Sequence, residues 1–337
     1  MKTKFYLHNR TKEIVFLLGI ISVITIFLCL CIGRYHIEIN DVLSLFDLRN
    51  GTETPAKNIL LHIRIPRVLL AYLIGVALSV SGAAYQGLFH NRLVSPGVLG
   101  VNSGACVGAS LCILLNAGTA ERITVSFLFG IVAALMALVI QKFSRNKSSL
   151  VLVLAGIVVS AFMNAMIGII KYVADGQDKL ASITFWLLGS IANAEMSHVY
   201  LVLPFVTICS AIILSMGWRL NAMSLGEKEA LSVGINYKAV RLIIVLCSTL
   251  LTSVSVSISG SIDWIGLIIP NISRSIVGAN HRKMLPISML FGGIFMTIVD
   301  TVARSISPNE IPLGIITGLF GAVTYLVILL NKKGIEQ

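Results

Sequence analysis

The chain has 337 residues, of which 56% are hydrophobic and only 12% are charged, and its mean hydropathy is +0.90. Soluble domains carry about 25% charged residues, so this composition excludes an ordinary soluble enzyme or binding domain. Apolar stretches of about 20 residues, the length that crosses a bilayer as a helix, recur along the chain. They lack the alternation of a transmembrane barrel. The sequence therefore predicts an all-α, polytopic membrane protein.

The excess of basic residues has a membrane explanation. A net charge of +11 would also suit a nucleic-acid-binding protein, but membrane proteins concentrate Lys and Arg in their cytoplasmic loops. All six cysteines fall inside apolar stretches without metal-ligand spacing, so we predict packing roles for them. They are Cys29, Cys31, Cys106, Cys112, Cys209 and Cys247.

Ten stretches are long and apolar enough to predict membrane spans. The first is retained, because its core is longer than that of a signal peptide and no small-residue cleavage site follows. The run Leu180–Ala194 is too short to cross and predicts a non-spanning helix. We expect a cytoplasmic segment at 1–13, one transmembrane domain at 14–330 and a cytoplasmic tail at 331–337. The predicted spans are 14–33, 68–89, 95–118, 123–141, 148–170, 196–218, 240–260, 264–279, 284–303 and 311–330.

The positive-inside bias orients these spans with both termini in the cytoplasm. Most basic residues then lie in cytoplasmic loops, and counting Leu180–Ala194 as a span would move many of them outside. Against this bias, Arg64 and Arg67 lie at the outer end of the second span, and Arg304 at the outer end of the ninth. Pro66 suits the first turn of a helix, so we expect the second helix to begin there.

Catalytic motifs are missing from the sequence. It has no G-x-x-x-x-G-K-[ST] phosphate loop, no His/Glu cluster and no Ser/His/Asp set. We therefore expect no enzyme and no cofactor bound by this chain. Ion-coupled secondary transport would use ionisable residues buried in the spans, and Arg274, Asp263 and Asp300 are the candidates. Asp300 and Arg304 are spaced to form an ion pair within one helix, and Arg274 could extend to the cytoplasmic interface.

Two regions rich in small residues, Gly75–Gly87 and Ser95–Ser110, predict close helix packing, a pathway wall, or both. The longest hydrophilic cytoplasmic segment, Arg219–Arg241, contains the helix-forming run Glu-Lys-Glu-Ala and then Gly234 as a helix stop. It is either a solvated loop or a docking element for a cytoplasmic partner.

Several motifs resemble the permease family of type II ABC importers. They are "RIPRVLLAYLIGVALSVSGAAYQGLFHNRLVSPGVLGVNSGA", "FWLLGSI", "SLGEKEALSVGIN", "IGLIIPNISRSIVGANHRKMLP" and "PLGIITGLFGA", in this order from about residue 55 onward. The resemblance implies a ten-helix subunit paired with a second permease subunit, in a homodimer or a close heterodimer. It also implies two cytoplasmic ATPase subunits, which use ATP and Mg, and an extracytoplasmic substrate-binding protein.

The resemblance also implies roles for particular residues. Arg64, Arg67 and Arg304 match arginines that receive acidic residues of the binding protein. The segment around Ser224–Asn236 matches a coupling segment that contacts the ATPase, with Ser224, Leu225, Gly226, Glu227, Glu229, Ala230 and Gly234 as its site residues. Gate or pathway roles are implied for Gln86, Asn91, Pro96, Ser148, Ser149, Leu150 and Asn271.

The chain departs from the family pattern at three places. It has His90-Asn91-Arg92-Leu93 for Arg-Asn-Pro-Leu, Gly260-Ser261-Ile262-Asp263-Trp264 for Gly-Pro-Ile-Gly-Phe, and Asn271 for His. Our first choice of cargo is a ferric siderophore or a similar iron chelate, with vitamin B12, heme and molybdate as alternatives. A large chelate needs a wide and mostly neutral pathway, whereas an oxyanion would favour donors such as Asn271 or Arg274.

Overall fold

The computed structural model describes residues 10–35, 37, 42, 55–145, 148–176, 178–307 and 309–330, and the elements within these ranges are helices. Parts of the predicted terminal segments, 1–9 and 331–337, lie outside the described residues. Thirteen helices are described: α1 Thr11–Cys31, α2 Pro55–Leu88, α3 Val101–Leu114, α4 Thr119–Phe143, α5 Ser149–Val173, α6 Lys179–Leu187, α7 Met196–Ser215, α8 Gly217–Met223, α9 Glu227–Ser232, α10 Tyr237–Ser259, α11 Ile265–Val277, α12 His281–Ile306 and α13 Leu313–Leu330.

The helices confirm a polytopic architecture. Seven of those described are long and apolar enough to cross a membrane, namely α1, α2, α4, α5, α7, α10 and α12. Three shorter apolar helices, α3, α11 and α13, occupy the remaining predicted spans. The run predicted not to cross contains α6, which has nine residues.

The predicted start of the second span is wrong. Helix α2 begins at Pro55, so Arg64 and Arg67 lie within a continuous helix and not at its entry. Residues Leu60–Arg64 form a π-helical turn, in which the Ile65 N–H donates to the Leu60 carbonyl five residues back. Because Pro66 has no N–H to donate, this wider turn lets the helix continue past it.

Small residues bring the central helices into close contact, which confirms the packing prediction. A Cβ at Gly82 would lie 1.8 Å from the Gly266 carbonyl oxygen, and one at Gly75 would lie 2.1 Å from that of Gly292. Close backbone approach of this kind is how membrane helices associate without a hydrophobic driving force. Of the most apolar window of each span, 83% is buried in α2 and 72% in α10, against 17% in α1. Helices α2 and α10 are therefore central, and α1 is peripheral.

A backbone break separates α10 from α11. Gly260 and Trp264 both have positive φ, +68° and +73°, and for Trp264 this conformation costs about 1–3 kcal/mol. The break is tied to its neighbours by backbone hydrogen bonds: Ser190 N–H donates to the Ser259 carbonyl (2.7 Å), and Leu313 N–H donates to that of Gly189 (2.9 Å). The Trp264 ring packs on Gly321 of α13. The ends of α6, α10 and α13 therefore form one unit around this loop.

Candidate functional site

A polar cavity lies beside the break between α10 and α11. Its volume is about 450 Å³, and its walls come from the start of α3, the side of α5, the end of α6 and the 260–264 loop. The polar side chains that carry its chemistry are Asn102, Ser103, Asn164, Lys171, Ser261 and Asp263. Three separate segments therefore bring these polar groups together beside an apolar helix bundle. We call this space the Asp263 cavity.

Asp263 is held by neutral donors. The Asn102 Nδ2 donates to Asp263 Oδ1 at 2.9 Å, and the Ser261 hydroxyl donates to Oδ2 at 3.2 Å. The salt bridges found among the described residues include neither Asp263 nor Lys171. Asp263 is exposed, so the carboxylate is oriented by hydrogen bonds without having its charge neutralised.

One side of α5 is unlike a lipid-facing surface. Asn164 and Gly168 are exposed on it, Lys171 is half-buried, and a Cβ at Gly168 would have nothing within 4 Å. Polar and ionisable side chains within a membrane span are costly unless they face protein or a water-filled space. This side of α5 therefore faces water or another protein.

Six of the predicted gate residues fall into two groups, and Pro96 lies apart from both. In the first group, Gln86 and Asn271 are joined through Arg274, which was not predicted as a gate residue: Arg274 donates to Asn271 Oδ1 (3.0 Å) and to Gln86 Oε1 (3.2 Å). Asn271 Nδ2 donates to the Arg92 carbonyl (3.2 Å), and the Asn91 N–H donates to the Gln86 carbonyl (3.2 Å). Arg274 therefore belongs to a hydrogen-bonded network within the bundle and does not extend to the cytoplasmic interface.

Pro96 lies nearer the Asp263 cavity than this network does. Its ring packs on Gly266, where a Cβ would lie 2.1 Å from Pro96 Cγ, and the preceding Ser95 lines the cavity. Pro96 begins a 3₁₀ turn, Pro96–Leu99, that leads into α3. The start of this turn therefore adjoins both the Asp263 cavity and α11.

The second gate group lies at the start of α5. Ser148 caps this helix by accepting from the Val151 N–H (3.4 Å), and the Ser149 hydroxyl is hydrogen-bonded to the Tyr237 hydroxyl (3.2 Å). Leu150 is exposed. The structure thus connects Ser148–Leu150 to the start of α10 through the Ser149–Tyr237 hydrogen bond.

The predicted coupling segment folds as two short helices, α8 and α9. Helix α9 begins after Gly226 (φ +125°) and ends at Ser232, with Gly234 (φ +78°) just beyond, which confirms the predicted helix stop. Ala230 is buried and anchors α9, and the Ser224 hydroxyl donates to the Leu220 carbonyl (2.7 Å). Glu227 and Glu229 are exposed. So is Leu225, which is 73% exposed.

The three arginines predicted as outer charges are buried. Arg64, Arg67 and Arg304 are 3%, 5% and 7% exposed, so the side chains that the resemblance matches to binding-protein contacts are enclosed within this chain. Arg67 donates to both oxygens of Asp300 (2.9–3.1 Å) and to both oxygens of Glu310 (2.9 and 3.0 Å). Its forked guanidinium matches two carboxylates at once.

Arg64 and Arg304 bind the end of α1. Arg64 donates to the carbonyls of Leu30 (2.6 Å), Cys31 (2.8 Å) and Tyr35, and Arg304 donates to that of Cys29. The expected pair within α12 is present, with Arg304 Nε 3.8 Å from Asp300 Oδ2. These arginines join α1, α2 and α12 in addition to any role with a partner.

Sequence reasoning missed most of the Asp263 cavity. Asp263 stood out because it departs from a family motif, but Asn102, Asn164 and Lys171 were not selected. A signal was present for two of them, because Asn164 and Lys171 interrupt the apolar run of α5. Asn102 had no such signal, since it lies in a region already rich in small and polar residues.

Known proteins similar to this chain are permeases of transport systems. The model of the FecCD transport family matches residues 21–332. The molybdate import permease MolB of Haemophilus influenzae is 39% identical, over 96% of this chain and 98% of its own length. The iron chelatin transport permease of Helicobacter pylori is 37% identical, over 86% of this chain and 87% of its own.

A solved structure agrees with these relatives. It is an ABC transporter of metal-chelate type in an inward-facing conformation, with 37% identity and a TM-score of 0.86, and the match covers 95% of this chain and 99% of the other. In this family the permease is a membrane component without a catalytic role of its own. The chain belongs to the FecCD transport family, as a multi-pass permease subunit of an ABC importer in the bacterial plasma membrane.

Proposed function

We propose that this permease imports a metal chelate, with a ferric siderophore as the first choice, through a pathway that the Asp263 cavity lines. The observation that carries this proposal is the polar side of α5, where Asn164 and Lys171 open into the cavity with Asp263. Such groups are too costly to face lipid, and they suit the wall of a hydrated passage. An extracytoplasmic binding protein would deliver the chelate, and two ATPase subunits would drive transport with ATP and Mg.

The internal hydrogen bonds of α11 favour a chelate over a bare oxyanion. An oxyanion needs free donors, and the two donors expected for it were Asn271 and Arg274. Asn271 donates to the Leu267 carbonyl (2.8 Å) as well as to that of Arg92, and Arg274 donates to Asn271 and Gln86. Both groups are therefore engaged within the chain.

Molybdate is the second candidate, and one observation favours it. The relative that is 39% identical over nearly the whole chain is a molybdate import permease. Other relatives are described as hemin and cobalamin permeases, at 34% and 32% identity. Overall similarity to the family thus supports several cargoes, and the residues of the pathway must distinguish them.

A second copy of this chain is the partner we propose within the membrane. Helix α13 leaves a large apolar surface uncovered, with Leu319, Phe320 and Val323 each more than half exposed. The polar side of α5 needs a cover other than lipid, and a second permease subunit would enclose the passage. Two copies also suit two ATPase subunits, one on each α8–α9 segment.

The α8–α9 segment is the proposed ATPase contact. Its exposed surface combines Glu227 and Glu229 with the apolar side chains of Leu225 and Leu231. An apolar centre with charged neighbours is typical of specific protein contacts. The first gate group lies close by, since His90 on the chain after α2 contacts the Met223 carbonyl at the end of α8. Movement of this segment would therefore reach Gln86, Asn91 and Asn271.

Docking of the binding protein at Arg64, Arg67 and Arg304 requires a rearrangement. These groups are buried, and Glu310 is the most accessible acidic partner of Arg67, with 26% of its side chain exposed. We propose that an acidic residue of the binding protein takes the place of Glu310 on Arg67. This exchange would preserve the number of charge-assisted hydrogen bonds while loosening the connection between α12 and α13.

Uptake by the reconstituted complex tests the cargo. The permease with its ATPase and binding protein, in proteoliposomes, should import a radiolabelled ferric siderophore only when ATP is enclosed on the ATPase side. A complex carrying an ATPase that cannot hydrolyse ATP is the control. Import of molybdate without import of the ferric siderophore would establish the second candidate. Uptake that persists without ATP and stops with a protonophore would instead indicate a secondary transporter.

A further inference from the structure

The Asp263 cavity has separated charges of opposite sign. Asp263 lies on the loop between α10 and α11, and Lys171 lies on α5, near its end at Val173. The salt bridges found among the described residues leave both out. Each therefore keeps its own electrostatic effect on a charged molecule that enters the space, and this effect acts at short range.

Asn102 adds an unmet hydrogen-bond acceptor. Its amide nitrogen is fixed on Asp263 Oδ1 at 2.9 Å, while its Oδ1 is buried with no hydrogen-bond partner among the described residues. Gly97 packs on the same amide, since a Cβ there would lie 2.9 Å from Asn102 Cγ. A buried acceptor without a partner is unfavourable, and a donor on an incoming molecule would satisfy it.

These groups select for one kind of molecule. The carboxylate of Asp263 and the side-chain carbonyl of Asn102 both accept hydrogen bonds. Of these three groups, only Lys171 supplies a positive charge. A bare tetrahedral oxyanion offers only acceptors and negative charge, so it would meet repulsion from Asp263. An organic chelate with amide, hydroxyl or ammonium groups beside its metal-binding oxygens can satisfy both ends of the cavity.

Building on the proposed function, we propose that the Asp263 cavity is a contact site for the imported chelate and that Asp263 determines its charge preference. Asp263 and Asn102 receive the donor groups of the chelate, and Lys171 receives its anionic oxygens. This chain has Asp263 where the motif it resembles has Gly, so the fold itself does not require a carboxylate at this position. Asp263 thereby disfavours oxyanions at this point of the passage.

Charged thiol reagents can measure this preference directly. Asn164→Cys places a reporter in the cavity of the complex with its ATPase, in membranes, and the reporter is reacted with a cationic or an anionic methanethiosulfonate. Ser197→Cys, at an exposed position of α7, is the reference outside the cavity lining. Its rate ratio reflects its own neighbour, Glu195, whose carboxylate accepts from the Ser197 hydroxyl (3.1 Å), and not the charges of the cavity. The wild-type protein gives the background, because five of its six cysteines are buried.

We expect Asp263→Asn to lower the cationic-to-anionic rate ratio at Asn164→Cys by about tenfold, as loss of one nearby charge predicts. Lys171→Gln should raise that ratio, and neither change should affect Ser197→Cys. An Asn164→Cys reporter that reacts with neither reagent would overturn the site. So would ratios that both charge variants leave unchanged.

Protection of the same reporter identifies the ligand. A ferric hydroxamate bearing a terminal ammonium group should slow labelling of Asn164→Cys severalfold, whereas molybdate at equal concentration should not. Protection by molybdate alone, or by neither compound, contradicts the proposal. This measurement does not require transport, so it is independent of the uptake assay. Protection without uptake would contradict the proposed function and support the site, whereas uptake without protection would contradict the site alone.

Discussion

At the scale of single residues, Arg67 shows how one side chain can connect distant parts of a membrane protein. It holds Asp300 and Glu310, which lie 233 and 243 residues away in sequence. Asp300 is fully buried. Placing a carboxylate there is costly unless it is paired and hydrogen-bonded, and Arg67 supplies both requirements.

Removing Arg67 alone should therefore destabilise the protein strongly. We expect Arg67→Met to lower the free energy of unfolding by about 3–5 kcal/mol, because Asp300 would keep only the weaker contact with Arg304. The double variant Arg67→Met with Asp300→Leu should recover part of that loss, since it removes both members of the Arg67–Asp300 pair and leaves only Arg304 without its acidic partner. Thermal unfolding in detergent measures the difference, and a double variant no more stable than the single one would contradict this account.

Burial also changes how outer docking has to be tested. Arg64→Glu combined with Arg67→Glu would place new carboxylates against backbone carbonyls and Asp300. Loss of binding-protein association in that variant would therefore report misfolding as well as lost docking. Variants at the accessible partner, Glu310, separate the two effects.

At the scale of the element, α9 is a short helix whose position depends on its ends. Six residues are too few to be stable alone in water. Gly226 and Gly234 supply the positive φ angles at its borders, and the buried Ala230 attaches it to the bundle. Its exposed acidic side chains are therefore presented at a defined place.

Reversing these charges should weaken assembly with the ATPase. We expect Glu227→Lys with Glu229→Lys to reduce the affinity for the ATPase subunits by about tenfold or more, because reversing two charges at an interface destroys its electrostatic complementarity with the partner. Copurification of the subunits and ATP hydrolysis coupled to uptake are the measurements. The control is Asp175→Lys, which reverses an exposed acidic charge just after α5 ends at Val173. Assembly and transport that both survive in the α9 variant would show that the segment is only a loop.

At the scale of the whole molecule, the outer connection between α12 and α13 is the point at which partner docking would affect the bundle. Arg34 donates to the Arg304 carbonyl at 3.1 Å and lies 3.9 Å from Glu310, while Arg67 holds Glu310 from the other side. Helix α13 follows directly, and its start is bonded to the loop that ends α6. Release of Glu310 would therefore free a segment that leads to the Asp263 cavity.

Glu310→Gln should strengthen association with the binding protein. Loss of this internal carboxylate leaves Arg67 donors for an acidic side chain of the partner, so we expect affinity to rise severalfold, most clearly at low salt. Surface plasmon resonance on the purified complex measures it, with Glu195→Gln as a neutralising control in the loop before α7. An unchanged or lower affinity would show that Arg67 does not receive the partner.

Much of this architecture could be predicted from local sequence. Apolar length alone located the seven described helices that can span a membrane and the three shorter apolar helices. Gly234 likewise marked the end of α9, because hydrophobic burial and backbone conformation act over short distances. The start of α2 was misjudged by 11 residues, since the helix was expected to begin at Pro66 and begins at Pro55. The π-helical turn lets the helix continue past Pro66, and hydropathy along the sequence does not reveal such a turn.

Tertiary structure alone decided where the charged side chains go. A count of basic residues cannot show that Arg67 is enclosed by Asp300 and Glu310, because that contact requires α2 and α12 to pack at glycines more than 200 positions apart. The Asp263 cavity likewise combines Asn102, Lys171 and Asp263 from three segments. Sequence determined the membrane fold, the short helix α9 and the family, because these depend on local composition and motifs. The partners of buried charges and the walls of the Asp263 cavity depend on long-range packing, and only the folded chain contains that information.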